Sequence, residues 1–215
     1  KSNNSTLFLN YNNSDDLRTI HLPNIDCFTP FKSQRDKAEK IGLKVIKKIS
    51  KRYETVITSV PKSREEALAQ IARAYESASL EGILIIEGEN RNGVNNIVNK
   101  LSEIIRLDHL SSKSHGKIII VKVNQKKNTS LTNWLNYSLP TINKDGYFSM
   151  PGLFSYEHVD LASKFLTSAF NKNLKGDVLD LGAGWGFLSF ELVKKCFKVK
   201  SVILVDHDQR ALDCA

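Results

Sequence analysis

Cysteine is scarce: three residues in a chain of 215. Cys27, Cys196 and Cys214 are odd in number, lie far apart and include no Cys-x-x-Cys pair. That pattern argues against a disulfide framework and against a zinc site. The thiols read as buried or incidental groups of a reducing, cytoplasmic environment, and no metal is expected. Long apolar runs are also missing. Stretches such as Gly82–Ile86 and Ile118–Val121 fall far short of the roughly 20 residues a membrane span needs, so no membrane partner is expected. The first residues are polar and rich in Asn, which is unlike a secretory signal. The chain opens on Lys1 rather than Met, and the expectation is that the natural N-terminus lies upstream.

What is present suits a folded, mixed protein. Hydrophobic residues make up 41% and charged residues 25%, ordinary values for a packed core. The formal net charge is +8, and it is unevenly spread. Before Leu139 there are 22 basic and 14 acidic residues; from Leu139 onward there are nine of each. Lys32–Arg52 alone holds nine basic residues against Asp36 and Glu39. Such asymmetry is the electrostatic footprint of nucleic-acid contact. A solvated helix face would look the same from sequence. The RNA-binding candidates are Lys40, Lys44, Lys47, Lys48, Lys51 and Arg52.

Hydrophobic spacing divides the chain into alternating strands and helices. Leu7–Leu9, Thr55–Val60, Gly82–Glu87 and Lys117–Val123 read as strands. Gln34–Ser50 reads as a helix through Ala38, Ile41, Val45 and Ile49. Ser63 followed by Glu66 is a capping box opening a second helix, and Val94–Leu107 a third. Alternation of this kind predicts a mostly parallel sheet with helices on its faces. Leu139–Met150 is dense in turn formers and reads as an interdomain linker. The pattern then restarts: helix His158–Phe170, strand Asp177–Leu181, helix Gly186–Cys196, strand Ser201–Val205, and a helix from Gln209. The predicted fold class is α/β, with two Rossmann-like modules and the second incomplete. The predicted domains are 1–138 and 139–215.

The second module carries the chemistry. Asp180-Leu181-Gly182-Ala183-Gly184-Trp185-Gly186 follows Asp-x-Gly-x-Gly-x-Gly between a strand and a helix. Glycines there let the backbone turn tightly, and the helix start presents free N–H groups. The dinucleotide fingerprint G-x-G-x-x-G is not met, because its last glycine would fall on Phe187. Asp206 closes the next strand and can accept hydrogen bonds from ribose hydroxyls. The first module has no such glycine run.

These residues resemble motif I and the second-strand acid of class I S-adenosylmethionine (SAM) dependent methyltransferases. Met150-Pro151-Gly152-Leu153-Phe154-Ser155 is similar to a segment of the small-subunit rRNA guanine-N2 methyltransferases. Pro61-Lys62-Ser63 and Gly88-Glu89-Asn90-Arg91-Asn92-Gly93-Val94 also resemble that family. The similarity runs from about Thr55 to Asp206.

The resemblance implies a degenerate, basic, RNA-binding first domain and a catalytic second one. It implies SAM as cofactor and an exocyclic guanine N2 in 16S rRNA of the small ribosomal subunit as acceptor. Asp180, Gly182, Gly184 and Gly186 would line the methionine half of the cofactor, and Asp206 would hold its ribose. Phe154 and Ser155 would lie near the cofactor or the incoming base; simple packing of Phe154 on the next helix is the alternative. Trp185 receives no role. His158 reads as a surface residue of a helix, and Asp208 and Asp213 as solvated. The family's Asn-Pro-Pro-Phe/Tyr motif, which positions the target nitrogen, is absent, so no catalytic residue is assigned. The chain reads as truncated and by itself inactive. Two other readings stay open: a methyltransferase acting on large-subunit rRNA or protein glutamine, and a non-catalytic RNA-binding or ribosome-assembly protein.

Overall fold

A computed structural model describes residues 5–10, 24–125 and 127–215. The chain forms two compact units, Lys1–Ser138 and Leu139–Ala215.

The first unit is built on one seven-stranded sheet. Strands β1 (Thr6–Leu9), β2 (Ile25–Phe28), β3 (Lys44–Val45), β4 (Tyr53–Ser59) and β5 (Ala78–Glu89) run parallel in the spatial order β3-β2-β1-β4-β5. Strands β6 (His109–Lys113) and β7 (Gly116–Lys122) add an antiparallel hairpin, with β7 against β5. All four residues of β1 are buried, as expected of a central strand covered on both faces. The helices are α1 (Lys32–Lys40), α2 (Arg64–Ser77), α3 (Val94–Ser102) and α4 (Thr129–Trp134). The Ser63 half of the capping box is formed: its side chain accepts from the Glu66 N–H at 3.4 Å. Helix α2 then buries Leu68, Ile71 and Tyr75 in a core with Leu7, Leu9, Val56, Leu84 and Ile86.

The predicted helix Gln34–Ser50 holds only as far as Lys40, and its second half is overturned. Helix α1 ends at Lys40, because Gly42 takes a φ of +83° and the Leu43 and Gly42 N–H groups turn back onto Ala38 and Glu39 carbonyls. That is how a glycine just past a helix stops it. The chain then enters β3, and the Ile46 N–H donates to the Cys27 carbonyl at 2.9 Å. Ile46 and Ile49 pack on the core, so the helical spacing of Val45 and Ile49 with Ile41 is incidental. Helix α3 likewise stops at Ser102, short of Leu107, although Ile104, Ile105 and Leu107 still pack against the core. Strand β6 escaped notice because His109, Ser111 and Ser112 give an edge strand no apolar alternation.

The second unit contains the short hairpin β8 (Thr141–Ile142) and β9 (Phe148–Ser149), then α5 (Leu161–Ser168), β10 (Lys175–Leu181), α6 (Phe187–Lys195), β11 (Lys198–Val205) and α7 (Gln209–Cys214). Strands β10 and β11 pair in parallel. Leu139–Met150 is therefore no linker. The Asn143 N–H closes the hairpin on the Tyr147 carbonyl at 2.8 Å, and Ser149 and Met150 are buried. Helix α5 begins three residues later than His158. Asp145 takes the Val159 N–H at 2.7 Å, and Asp160 caps the helix through the Ser163 N–H at 2.9 Å. Met150, Leu153, Val159, Trp185, Ala211 and Cys214 make a small core. Cross-strand neighbours Leu179 and Ile203, and Leu181 and Val205, form an exposed apolar ladder.

Candidate functional site

The second unit's site begins where β10 runs out. The N–H groups of Gly182 and Ala183 both donate to the Val205 carbonyl, at 2.8 and 3.1 Å, which stitches the loop to the end of β11. Gly182, Gly184 and Gly186 take φ of +75°, +55° and +86°, values that a side chain makes costly. A Cβ on Gly182 or Gly184 would meet nothing within 4 Å. That side of the turn faces open space. At Gly186 a Cβ would stand 2.9 Å from that of Ala215. Gly186 also begins α6 with no side-chain cap, so the positive end of that helix remains available to an anionic group.

Two carboxylates hold this turn. Asp180 accepts the Ser189 hydroxyl at 2.6 Å and so ties β10 to α6. Asp206 accepts the Gly184 N–H at 2.8 Å and the Asp208 N–H at 2.9 Å. His207 Nδ1 lies 3.2 Å from the same carboxylate. Burial works against the charged form of Asp206, but the hydrogen bonds from Asp208 and Gly184 and the adjacent His207 outweigh it. The carboxyl sits below its ordinary value. A carboxylate offers about four lone-pair sites, so Asp206 retains capacity to accept from a ligand.

Phe154 and Ser155 lie beside the loop. Phe154 is 76% exposed, which removes the packing alternative for its ring. Its carbonyl accepts the Trp185 Nε1–H at 3.0 Å. Ser155 takes a φ of +51°. Trp185 was the residue missed: it is buried, with ring centroids 5.5 Å from Tyr147 and 6.0 Å from Phe187. The one sequence signal was a large aromatic inside a glycine run; nothing in linear spacing joins 185 to 154. Asp208 is corrected too. It is buried, caps α7 through the Arg210 N–H at 3.0 Å, and binds the Arg210 side chain at 2.7 Å. His158 precedes α5 rather than lying on it. Among the described residues, no group of three or more His, Cys, Asp or Glu is placed to hold a metal ion, and no helix is long and apolar enough to cross a membrane.

In the first unit the basic candidates separate into groups. Lys44 and Lys51 reach the buried Asp26, at 3.6 and 3.1 Å, where the Tyr53 hydroxyl also donates at 2.8 Å. Burial raises the Asp26 pKa, yet Tyr53 and Lys51 more than offset it and the carboxyl lies below its ordinary value. Asp26, Lys44 and Lys51 line one cavity of about 570 Å³, and Lys51 also joins Lys47, Lys48, Arg52 and Arg73 around a second of about 680 Å³. Lys40 lines neither cavity. Cys27, Cys196 and Cys214 are buried free thiols, and burial pushes Cys27 up to about 11.

A seven-stranded α/β sheet, and a second unit with a glycine loop and a strand-end acid, define a protein of the class I methyltransferase fold. The chain belongs to the methyltransferase small domain N-terminal family, whose model matches residues 4–137, and the methyltransferase small domain model matches residues 145–215. It is 29% identical over 155 residues to the ribosomal RNA small subunit methyltransferase C of Haemophilus influenzae (strain 86-028NP), covering 72% of this chain and 47% of that protein. It is 30% identical over 159 residues to the same-named protein of Buchnera aphidicola subsp. Schizaphis graminum, covering 71% and 45%. The chain thus spans about half the length of the curated relatives it matches. The solved structure of the T. thermophilus 16S rRNA N2 methyltransferase (RsmC) with AdoMet and guanosine aligns with a TM-score of 0.78 and 16% identity, covering 100% of this chain and 61% of that one.

Proposed function

We propose that this chain is part of a SAM-dependent methyltransferase that modifies the exocyclic N2 of a guanine in small-subunit rRNA, in the cytoplasm. The observation that carries the reading is the closed glycine loop, with Asp206 on the Gly184 N–H, in a chain matched by both family models. The residues fit the cofactor. Open space beside Gly182 and Gly184 admits an amino-acid end close to the backbone, and the uncapped start of α6 favours its carboxylate. Asp206 has lone pairs left for ribose hydroxyls. When bound, SAM supplies an activated methyl group on a sulfonium.

The protein's part is then alignment and exclusion of water. Asp180 and Asp206 hold the loop that orients the cofactor. The exposed ring of Phe154 offers an apolar face next to it, and Ser155 a hydroxyl. A guanine inside folded RNA must leave its stack to reach such a site. The apolar ladder of Leu179, Leu181, Ile203 and Val205 is open.

Two measurements test this reading. Ultraviolet cross-linking of methyl-labelled SAM should label the chain, and excess unlabelled S-adenosylhomocysteine should compete. Nucleoside mass spectrometry of small-subunit rRNA from cells lacking the coding sequence should show lost N2-methylguanosine. An unchanged nucleoside profile would sink the assignment of the acceptor.

A further inference from the structure

The loop 150–159, which carries Phe154 and Ser155, is tied at both ends to the hairpin β8–β9. It leaves directly from β9, and it returns to the hairpin turn. There the Lys144 N–H donates to the Glu157 carbonyl at 3.1 Å, and Asp145 accepts the Val159 N–H at 2.7 Å. The turn is closed from within, since Asn143 Oδ1 accepts the N–H groups of Asp145 and Tyr147, both at 3.1 Å.

Tyr147 ends this turn and is half-buried. Its ring centroid lies 5.5 Å from that of Trp185, 5.4 Å from Phe187 and 5.9 Å from Phe190. Its hydroxyl donates to Glu191 at 3.0 Å. The ring thus packs on the start of α6 and on the aromatic residue of the glycine loop. Trp185 in turn donates from Nε1 to the Phe154 carbonyl at 3.0 Å.

The tip of the loop depends on that bond. The Phe154 ring is exposed, so its place is set through its backbone rather than by packing. Ser155 holds a φ of +51°, which a side chain disfavours, so the tip needs restraint from its surroundings. An indole has one N–H. Whatever fixes the plane of Trp185 therefore fixes where Phe154 sits, and Tyr147 lies against that plane, tilted by 42°.

We propose that Tyr147 is a positioning residue of the cofactor site: through the Trp185 indole it holds the Phe154–Ser155 tip beside the glycine loop. The inference rests on the reading of that loop as a SAM site. The ring and hydroxyl contacts of Tyr147 run to Trp185 and α6, so it acts at one remove from the cofactor. Its ring carries the effect, and the bond to Glu191 adds anchorage.

The test is ultraviolet labelling of the 215-residue chain by methyl-labelled SAM, titrated to half-saturation. Tyr147→Leu keeps an apolar side chain but loses the ring, and should raise the half-saturating concentration about fivefold. Tyr147→Phe keeps the ring and should stay within about twofold of wild type. Phe154→Ala weakens labelling by itself. Adding Tyr147→Leu to it should change the half-saturating concentration by less than about twofold, because the ring that Tyr147 positions is already gone. Trp185→Phe loses the indole bond with Tyr147 intact, should match the loss of Tyr147→Leu, and keeps the test decisive where that variant does not fold. Trp134 and Trp185 are the two tryptophans, so in a Trp134→Phe background the emission is that of Trp185. Tyr147→Leu should shift it to longer wavelength, and Tyr147→Phe should not. Losses that add across the Tyr147 and Phe154 cycle overturn the proposal and leave Tyr147 as core packing only. Wild-type labelling by Tyr147→Leu or Trp185→Phe, or an unshifted emission, overturns it while the SAM site stands. Wild-type labelling that S-adenosylhomocysteine does not compete overturns both.

Discussion

Asp206 closes the glycine loop by accepting the backbone N–H of Gly184 at 2.8 Å, across 22 positions of sequence. A strand-end acid usually attracts attention for what it might offer a ligand. Here it also builds the site, since the same carboxylate fixes the turn and the start of the Asp208-capped helix α7. Replacing Asp206 by Ala strands a partly buried N–H. The expected cost is about 1–3 kcal/mol of stability, read by urea unfolding. Labelling by SAM should fall at least about tenfold, the equivalent of 1.4 kcal/mol. Labelling at the wild-type level would show that the loop stands without its acid.

The same bond sets a pH dependence. The folded pKa of Asp206 is below its ordinary value of 3.8. Its stabilisation is therefore complete above that value and is lost as pH falls through the lower, folded one. Wild type and Asp206→Asn should differ most in melting temperature above the carboxylate range and converge in acid. Parallel curves at every pH would remove Asp206 as the titrating group.

Trp185 anchors Phe154 through one indole hydrogen bond of 3.0 Å. Trp185→Phe keeps a ring and loses that bond, which should cost about 0.5–1.5 kcal/mol. Trp185→Ala opens the small core as well and should cost about 3–5 kcal/mol. Phe154→Ala, by contrast, removes an exposed ring and should leave stability within about 0.5 kcal/mol while reducing SAM labelling. If Phe154→Ala labels normally, its ring has no part in the cofactor site.

Gly184 and Gly186 should respond differently to alanine. At Gly184 the added Cβ meets no neighbour within 4 Å. The cost to folding is then the backbone strain alone, about 1–2 kcal/mol, and the larger effect should fall on SAM labelling. At Gly186 the Cβ also meets that of Ala215 at 2.9 Å, so stability should fall further. Chemical denaturation of the two variants separates these outcomes.

In the first unit, Tyr53→Phe withdraws the hydroxyl that bonds the buried Asp26 at 2.8 Å. Leaving that carboxylate with one fewer donor should cost about 1–3 kcal/mol. Thermal melting of the variant measures it, and a melting temperature equal to wild type would mean that Lys44 and Lys51 suffice.

The local chemistry was legible in the sequence. Asp180, the three glycines and Asp206 announce a strand, a tight turn and a helix start, because each residue type answers a backbone demand made within a few positions. Ser63 and Glu66 announced α2 for the same reason. The alternation of apolar segments foretold an α/β sheet. What the sequence could not supply was anything set by meeting partners distant in the chain. Ile41, Val45 and Ile49 kept a helical period, yet Gly42 ended α1 and strand pairing with β2 captured the following residues. Edge strand β6 has no buried face to write a pattern. Trp185 finds Phe154 only through folding, and Arg73 joins Lys47 and Lys48 only because α2 packs beside the β3–β4 segment. Short-range rules of conformation fixed the glycine loop; long-range packing and hydrogen bonding decided which side chains surround it.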